Sequence, residues 1–288
     1  MVRCEGQIIG GGWWGVLCFF VFLHAEMCSR RKNTTGMANY INLGNVAFAS
    51  IRRSEYVDKS GLIAVINDTL LKEKRFTCVS RCRRFGKSMA AKMLCAYYDK
   101  SCDSREMFRG LEIEKHPSFE EHLNKYPVIY VDMTDFVTRY HGERAIVNII
   151  QRTLIEDISE VYADVAVKET DDLMEYLLRV ADATGEQFIF IIDEWDAICR
   201  ELENNKDAMG EYVNLLRRMF KSASASSVFA GGYMTGIFPI KKYKTESALN
   251  NFREYSMIDP KRLARYFGFT KDEVRMLCER HGMEFEDM

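Results

Sequence analysis

Gly86-Lys87-Ser88, preceded by Ser80-Arg81-Cys82-Arg83-Arg84-Phe85, is the first stretch of this chain whose residue types could do chemistry. A glycine, a lysine and a hydroxyl in that order suit a loop wrapped around nucleotide phosphates. Gly86 lets the backbone approach, Lys87 reaches the β- and γ-phosphates, and the Ser88 hydroxyl is a ligand type for Mg²⁺. A helix starting at this point would add its dipole. The full spacing G-x-x-x-x-G-K-[ST] is not met, because Arg81 stands at the first glycine position. The candidate nucleotide-binding set is therefore Arg81, Arg83, Arg84, Phe85, Gly86, Lys87 and Ser88. The loop arginines could screen triphosphate charge, meet a carboxylate elsewhere in the fold, or touch nucleic acid.

Asp193-Glu194-Trp195-Asp196 supplies the complementary acids. A carboxylate ending a buried strand, here Asp193, is what Mg²⁺ coordination beside phosphates requires, and Glu194 is placed to polarise an attacking water. The plainer alternative is that these acids cap the helix that follows. Thr235, ahead of Gly236, offers a hydroxyl that could hold the lytic water or sense the γ-phosphate, or could be a turn residue. The catalytic candidates are Lys87, Asp193, Glu194 and Thr235, and the metal candidates are Ser88 and Asp193.

These residues need strands that end, and helices that begin, beside them. Residues 75–79 lean towards a strand, and Lys87 to Asp99 puts Met89, Ala90, Met93, Leu94 and Tyr97 on one helical face. Strand, tight loop and helix follow in that order. A second strand is predicted at 127–132, and helices at 142–160, with Ile146, Ile149, Ile150, Leu154 and Ile158 as an apolar stripe, and at 171–183. Phe188 to Ile192 is apolar without alternation, as expected of a strand buried on both faces. A helix over 209–222 and a strand over 227–234, loosened by Gly231 and Gly232, complete the pattern. Strands separated by helices of this length imply right-handed crossovers and a mostly parallel sheet, so the fold class is α/β.

Forty Lys and Arg against 42 Asp and Glu leave a net charge of −2, without the basic field that holds nucleic acid. A hydrophobic fraction of 47% excludes a disordered chain. Nine cysteines at irregular spacing, with no CxxC pair, read as reduced thiols, and Cys78 and Cys82 as packing residues. Ile8 to Ala25 carries no charged residue and precedes Arg30-Arg31-Lys32. It reads as a membrane anchor, a signal peptide, or translated upstream sequence ahead of a true start at Met37. The expected location is cytoplasmic, anchored to a membrane only if that segment is an anchor.

Six motifs occur in order: Ser54-Glu55-Tyr56-Val57-Asp58-Lys59-Ser60, the loop Arg81 to Ser88, Tyr126-Pro127-Val128-Ile129, Ile192-Asp193-Glu194-Trp195-Asp196, Met234-Thr235-Gly236-Ile237 and Tyr266-Phe267-Gly268-Phe269-Thr270. Together they resemble the bacterial AAA-ATPase-like family, whose loop usually reads R-P-R-R-F-G-K-S. The resemblance runs from about Ile41 to the C-terminus. It implies a P-loop NTPase three-layer sandwich over residues 37–245, after an apolar leader at 1–36 and before a helical C-terminal segment at 246–288. It assigns Lys87 and Ser88 to phosphate and magnesium, Asp193 to the magnesium side, Glu194 to the base and Thr235 to a sensor-like place. Tyr56, Asp58 and Lys59 match the family's N-terminal signature, near where a nucleotide base could lie. Cys82 replaces the family's proline, and Trp195 a common tyrosine. Members commonly continue into more helices and a restriction-nuclease-like domain. The present chain stops at Met288, so the expectation is the ATPase half, and no nuclease activity is carried over.

The function expected is Mg²⁺-dependent ATP binding with slow hydrolysis. The alternative is a non-hydrolysing, nucleotide-dependent interaction module. Partners would be the nucleotide and either a second copy of the chain or a separate effector, with Arg217, Arg218 and Arg253 as candidate trans-acting arginines.

Overall fold

The computed structural model describes residues 39–141, 143–202, 205–240 and 249–285. The apolar leader at 1–36 lies outside them. Contacts divide the chain into the unit Ala38–Gly268 and a second unit whose described part is 269–285. In the latter, Thr270 and Glu273 form a reciprocal cap on the helix Lys271–Arg280.

The larger unit is built on five parallel strands, β1 (Phe76–Ser80), β2 (Val128–Asp132), β3 (Phe188–Asp193), β4 (Phe229–Gly236) and β5 (Phe252–Tyr255), in the order β2-β3-β4-β1-β5. Side chains alternate across the sheet into two apolar cores. Phe188, Phe190 and Ile192 of β3 pack with the helices Ile146–Val161, Leu173–Thr184 and Lys206–Lys221. Ile189 and Ile191 pack on the other face with Val46–Arg53, Gly61–Asn67 and Lys87–Tyr98. The result is the three-layer α/β sandwich expected. The unbroken apolar run of β3 is buried at every residue, as both faces demand.

The strands and long helices lie within a few residues of their predicted places. Leu173–Thr184 begins where Asp172 and Glu175 cap it reciprocally, and ends at Gly185 in the left-handed region. Two expectations change. Gly231 and Gly232 do not loosen β4, whose eight residues are all buried. A Cβ at Gly231 would stand 2.3 Å from Leu70 Cδ2, and one at Gly232 2.7 Å from Phe76 Cδ1, so both glycines serve close packing. The segment from residue 246, expected to be helical, holds the helix Lys271–Arg280 but first contributes β5, which pairs with β1 from Phe76↔Phe252 to Val79↔Tyr255. The sheet therefore extends past residue 245, and its unit runs to Gly268. At the opposite edge, the backbone of residues 40–42 covers β2 through Asn42 N–H to Val128 O and Tyr130 N–H to Tyr40 O.

No helix among the described residues is long and apolar enough to cross a membrane.

Candidate functional site

The carboxyl ends of β1, β3 and β4 converge because β4 lies between the other two. Open parallel sheets bind ligands at this end. After Ser80 the chain leaves β1, turns with Arg84 at φ 69° and Gly86 at φ 80°, and enters the helix at Lys87. Only glycine adopts the second angle without strain, and a Cβ at Gly86 would project into open space. Ser88 lies in the first helical turn, where backbone N–H groups have no intrahelical partner.

Lys87 is 4% exposed, and its ammonium has three neighbours for three N–H groups. It donates to Arg81 O at 3.1 Å and Cys82 O at 3.2 Å, and stands 3.1 Å from Glu194 Oε1. The loop lysine and the acid that follows β3 thus form an ion pair. Glu194 sits at φ 51°, an uncommon angle for a residue with a side chain, and its N–H donates to Thr235 Oγ1 at 3.2 Å. The Thr235 hydroxyl in turn donates to Asp193 Oδ1. Asp193 is 1% exposed, and Tyr130 OH donates to its second oxygen at 3.2 Å. Burial, reinforced by the Asp193 charge, pushes the Tyr130 phenol far above its ordinary value, so it remains a donor. A buried carboxylate needs such partners.

Asp132 ends β2 directly opposite Asp193 in the strand register. Burial first, then the Asp193 charge, pushes its carboxyl up to about 6, against the N–H donated by Thr134. The acidic end of the sheet is therefore wider than the Asp193–Asp196 segment alone.

The capping alternative for that segment fails at Asp196. It occupies the N-cap position of Ala197–Glu201 but its side chain caps none of that helix's backbone N–H groups. Its buried carboxylate instead accepts from Phe238 N–H at 3.0 Å, Ile237 N–H at 3.2 Å and Arg200 Nη1 at 2.8 Å. Arg200 Nη1 also lies 2.8 Å from Glu194 Oε2.

The structure brings Lys87, Asp193, Glu194 and Thr235 into one network. Arg81 departs from its expected place. Its side chain is 3% exposed and turns under the loop, donating to Ser80 O at 2.9 Å and Tyr255 O at 2.7 Å with the guanidinium over the Phe267 ring. The carbonyls at the ends of β1 and β5 both accept from the one nitrogen Nη1, which turns the side chain inward and away from a ligand above the loop. Arg83 and Arg84 are exposed, and Phe85 accepts from Gly268 N–H through its carbonyl. Cys82, expected to pack, is exposed because β1 has already ended, whereas Cys78 is buried. Asp58 accepts from Ser60 N–H and Glu112 N–H, and Lys59 donates to Arg265 O, so this part of the N-terminal signature joins elements of the fold. Arg217 bonds Asn214, Arg218 pairs with Asp172, and Arg253 is exposed on β5. Tyr130, Asp132 and Arg200 were not singled out in the sequence. The only signal there was position, namely two polar residues near the end of a predicted strand and one basic residue a helical turn beyond Asp196.

A hydroxyl such as that of Ser88 and a carboxylate such as that of Asp193 are oxygen ligand types that a hard divalent cation takes. Among the described residues no group of three or more His, Cys, Asp or Glu is placed to hold a metal.

A search of curated proteins finds no match to this chain. A family model does match: AAA-ATPase-like, described as a predicted AAA-ATPase, over residues 42–245. That stretch includes the loop, the acidic end of β3 and Thr235, and with most of the chain matched, the protein belongs to the AAA-ATPase-like family.

Proposed function

We propose that this chain binds ATP with Mg²⁺ at the carboxyl ends of β1, β3 and β4 and hydrolyses it slowly. The observation that carries the reading is the contact of Lys87 with Glu194, beside an Asp193 held by Thr235 and Tyr130. A buried cation on the phosphate loop and an acid one residue past the buried strand end are the two groups that in-line attack on a γ-phosphate needs. Lys87 and the first-turn N–H groups would bind the phosphates. Ser88 and Asp193 would hold Mg²⁺, whose charge neutralises the β- and γ-oxygens. Glu194 would take a proton from the attacking water as its oxygen bonds to the γ-phosphorus. The bond to the bridging oxygen then breaks, and ADP leaves with the electron pair. Thr235 would orient both acids through its two hydrogen bonds.

The second reading, a nucleotide-dependent interaction module without turnover, is favoured by one feature. Both oxygens of Glu194 face cations, so neither is turned towards a water. Titration of ATP by calorimetry, with and without Mg²⁺, tests the binding. Saturable Mg²⁺-dependent binding is expected, and its loss in Lys87→Ala. Glu194→Gln is expected to keep binding and lose turnover by about 10²–10⁴-fold, the usual weight of a general base. Unchanged turnover in that variant would remove Glu194 from the chemistry, and absence of turnover in the parent would favour the module.

A further inference from the structure

Glu194 has two cationic partners, and only one belongs to the phosphate loop. Oε1 faces Lys87 Nζ at 3.1 Å, and Oε2 faces Arg200 Nη1 at 2.8 Å. The same Nη1 lies 2.8 Å from Asp196 Oδ1. Asp196 is itself immobilised, since it is fully buried and accepts the N–H groups of Ile237 and Phe238 just past β4. Arg200 sits one helical turn on, its N–H donating to Asp196 O at 2.9 Å. Anchored on both main chain and side chain, its guanidinium is 11% exposed and reaches Glu194 from a fixed base.

The loop lysine cannot serve two anions equally. A nucleotide's phosphates would draw Lys87 away from Glu194, and a poorly hydrated carboxylate left without a cation is strongly destabilised. Arg200 removes that penalty, because Oε2 stays paired when Oε1 is released. The released oxygen is then the one available to a water.

We propose that Arg200 is a positioning residue for Glu194: it holds the carboxylate by one oxygen, so that Lys87 can pass to the nucleotide phosphates and the other oxygen can face the attacking water. The inference rests on the ATPase reading above. Arg200 touches neither phosphate nor water in this scheme, and acts through Glu194.

The test is a double-mutant cycle on the full chain, reading the ATP dissociation constant with Mg²⁺ by calorimetry and kcat at saturating ATP. In Arg200→Gln, Lys87 becomes the sole counter-ion of Glu194 and is less free to bind phosphate. ATP affinity should fall by about tenfold, equivalent to about 1.4 kcal/mol, and kcat should also fall by about tenfold or more. In the Glu194→Gln background the same Arg200→Gln change should leave ATP affinity nearly untouched, since no carboxylate competes for Lys87. Arg200→Lys should recover most of the affinity but less of kcat, because an ammonium on a shorter, more flexible stem cannot be held in the place of Nη1, 2.8 Å from both Glu194 Oε2 and Asp196 Oδ1.

A loss of affinity that is equal in both backgrounds would mean that Arg200 only supports the fold, and would overturn the proposal. So would an Arg200→Gln variant with parental affinity and kcat. If Arg200→Gln does not fold, Arg200→Lys carries the comparison: a kcat lowered at an unchanged melting temperature supports positioning, and a parental kcat overturns it. Failure of the parent chain to bind ATP would overturn the ATPase reading itself and the proposal with it, an outcome distinct from failure at Arg200 alone.

Discussion

At the scale of the residue, the acids at the end of the sheet differ in how their charge is held. Asp193 has two hydroxyl donors, Glu194 two cations, and Asp196 two backbone N–H groups and a guanidinium. Asp132 has a single N–H, from Thr134, and faces Asp193 across the register. Its carboxyl is accordingly pushed up to about 6 from an ordinary 3.8, with burial the larger cause and the Asp193 charge the next. The native state therefore binds this proton more tightly than the unfolded chain does. The associated stability is fully present below about pH 4 and is lost as pH rises through 6. Asp132→Asn keeps an oxygen for the Thr134 N–H and removes the charge. The variant should be more stable than the parent by about 3 kcal/mol at pH 7.5, with little difference at pH 4. Urea unfolding at the two pH values checks this; a gain of equal size at both would trace to packing instead of charge.

At the scale of the element, Arg81 stands out. A motif reading treats it as a defective first glycine. Its guanidinium instead ties the end of β1 to the end of β5 and lies over Phe267, while the Phe85 carbonyl accepts from Gly268. The phosphate loop is thus anchored from below to the strand and segment that follow residue 251. Introducing glycine there, in Arg81→Gly, is expected to destabilise the protein by about 2–3 kcal/mol, since buried hydrogen bonds from a charged group are lost and a flexible residue is added. Thermal unfolding monitored by circular dichroism would show a melting point lower by several degrees. A variant as stable as the parent would mean that these contacts are replaced by others. β4 makes the complementary point: Gly231 and Gly232 are small because Leu70 and Phe76 occupy the space where their side chains would be.

At the scale of the whole molecule, the sheet is a shared object that spans the matched family region and exceeds it. The match ends at residue 245, yet β1 is paired on one side by β4 and on the other by β5 at Phe252–Tyr255. A chain of residues 37–245 should expose the β1 edge and leave the buried Arg81 guanidinium without Tyr255 O. It is expected to aggregate or unfold, whereas residues 37–268 should melt cooperatively; light scattering and circular dichroism on the two chains decide it, and equal behaviour would place the boundary at 245 after all. The α/β class, the strand-loop-helix around Gly86-Lys87-Ser88 and the burial of Phe188–Ile192 are legible along the chain, because each is written in local periodicity and apolar runs. The sequence also singled out Lys87, Asp193, Glu194 and Thr235, whose types and places at strand ends sufficed. That Arg81 faces inward, that Asp132 and Tyr130 flank Asp193, and that Arg200 grips Glu194 follow from long-range packing. So does the strand formed by Phe-Arg-Glu-Tyr at 252–255. Four residues with neither alternation nor an apolar run carry no signal of their own. Their strand exists because the β1 edge offers unpaired N–H and C=O groups that must find partners, and which side chains meet across strands depends on a register that local sequence does not encode.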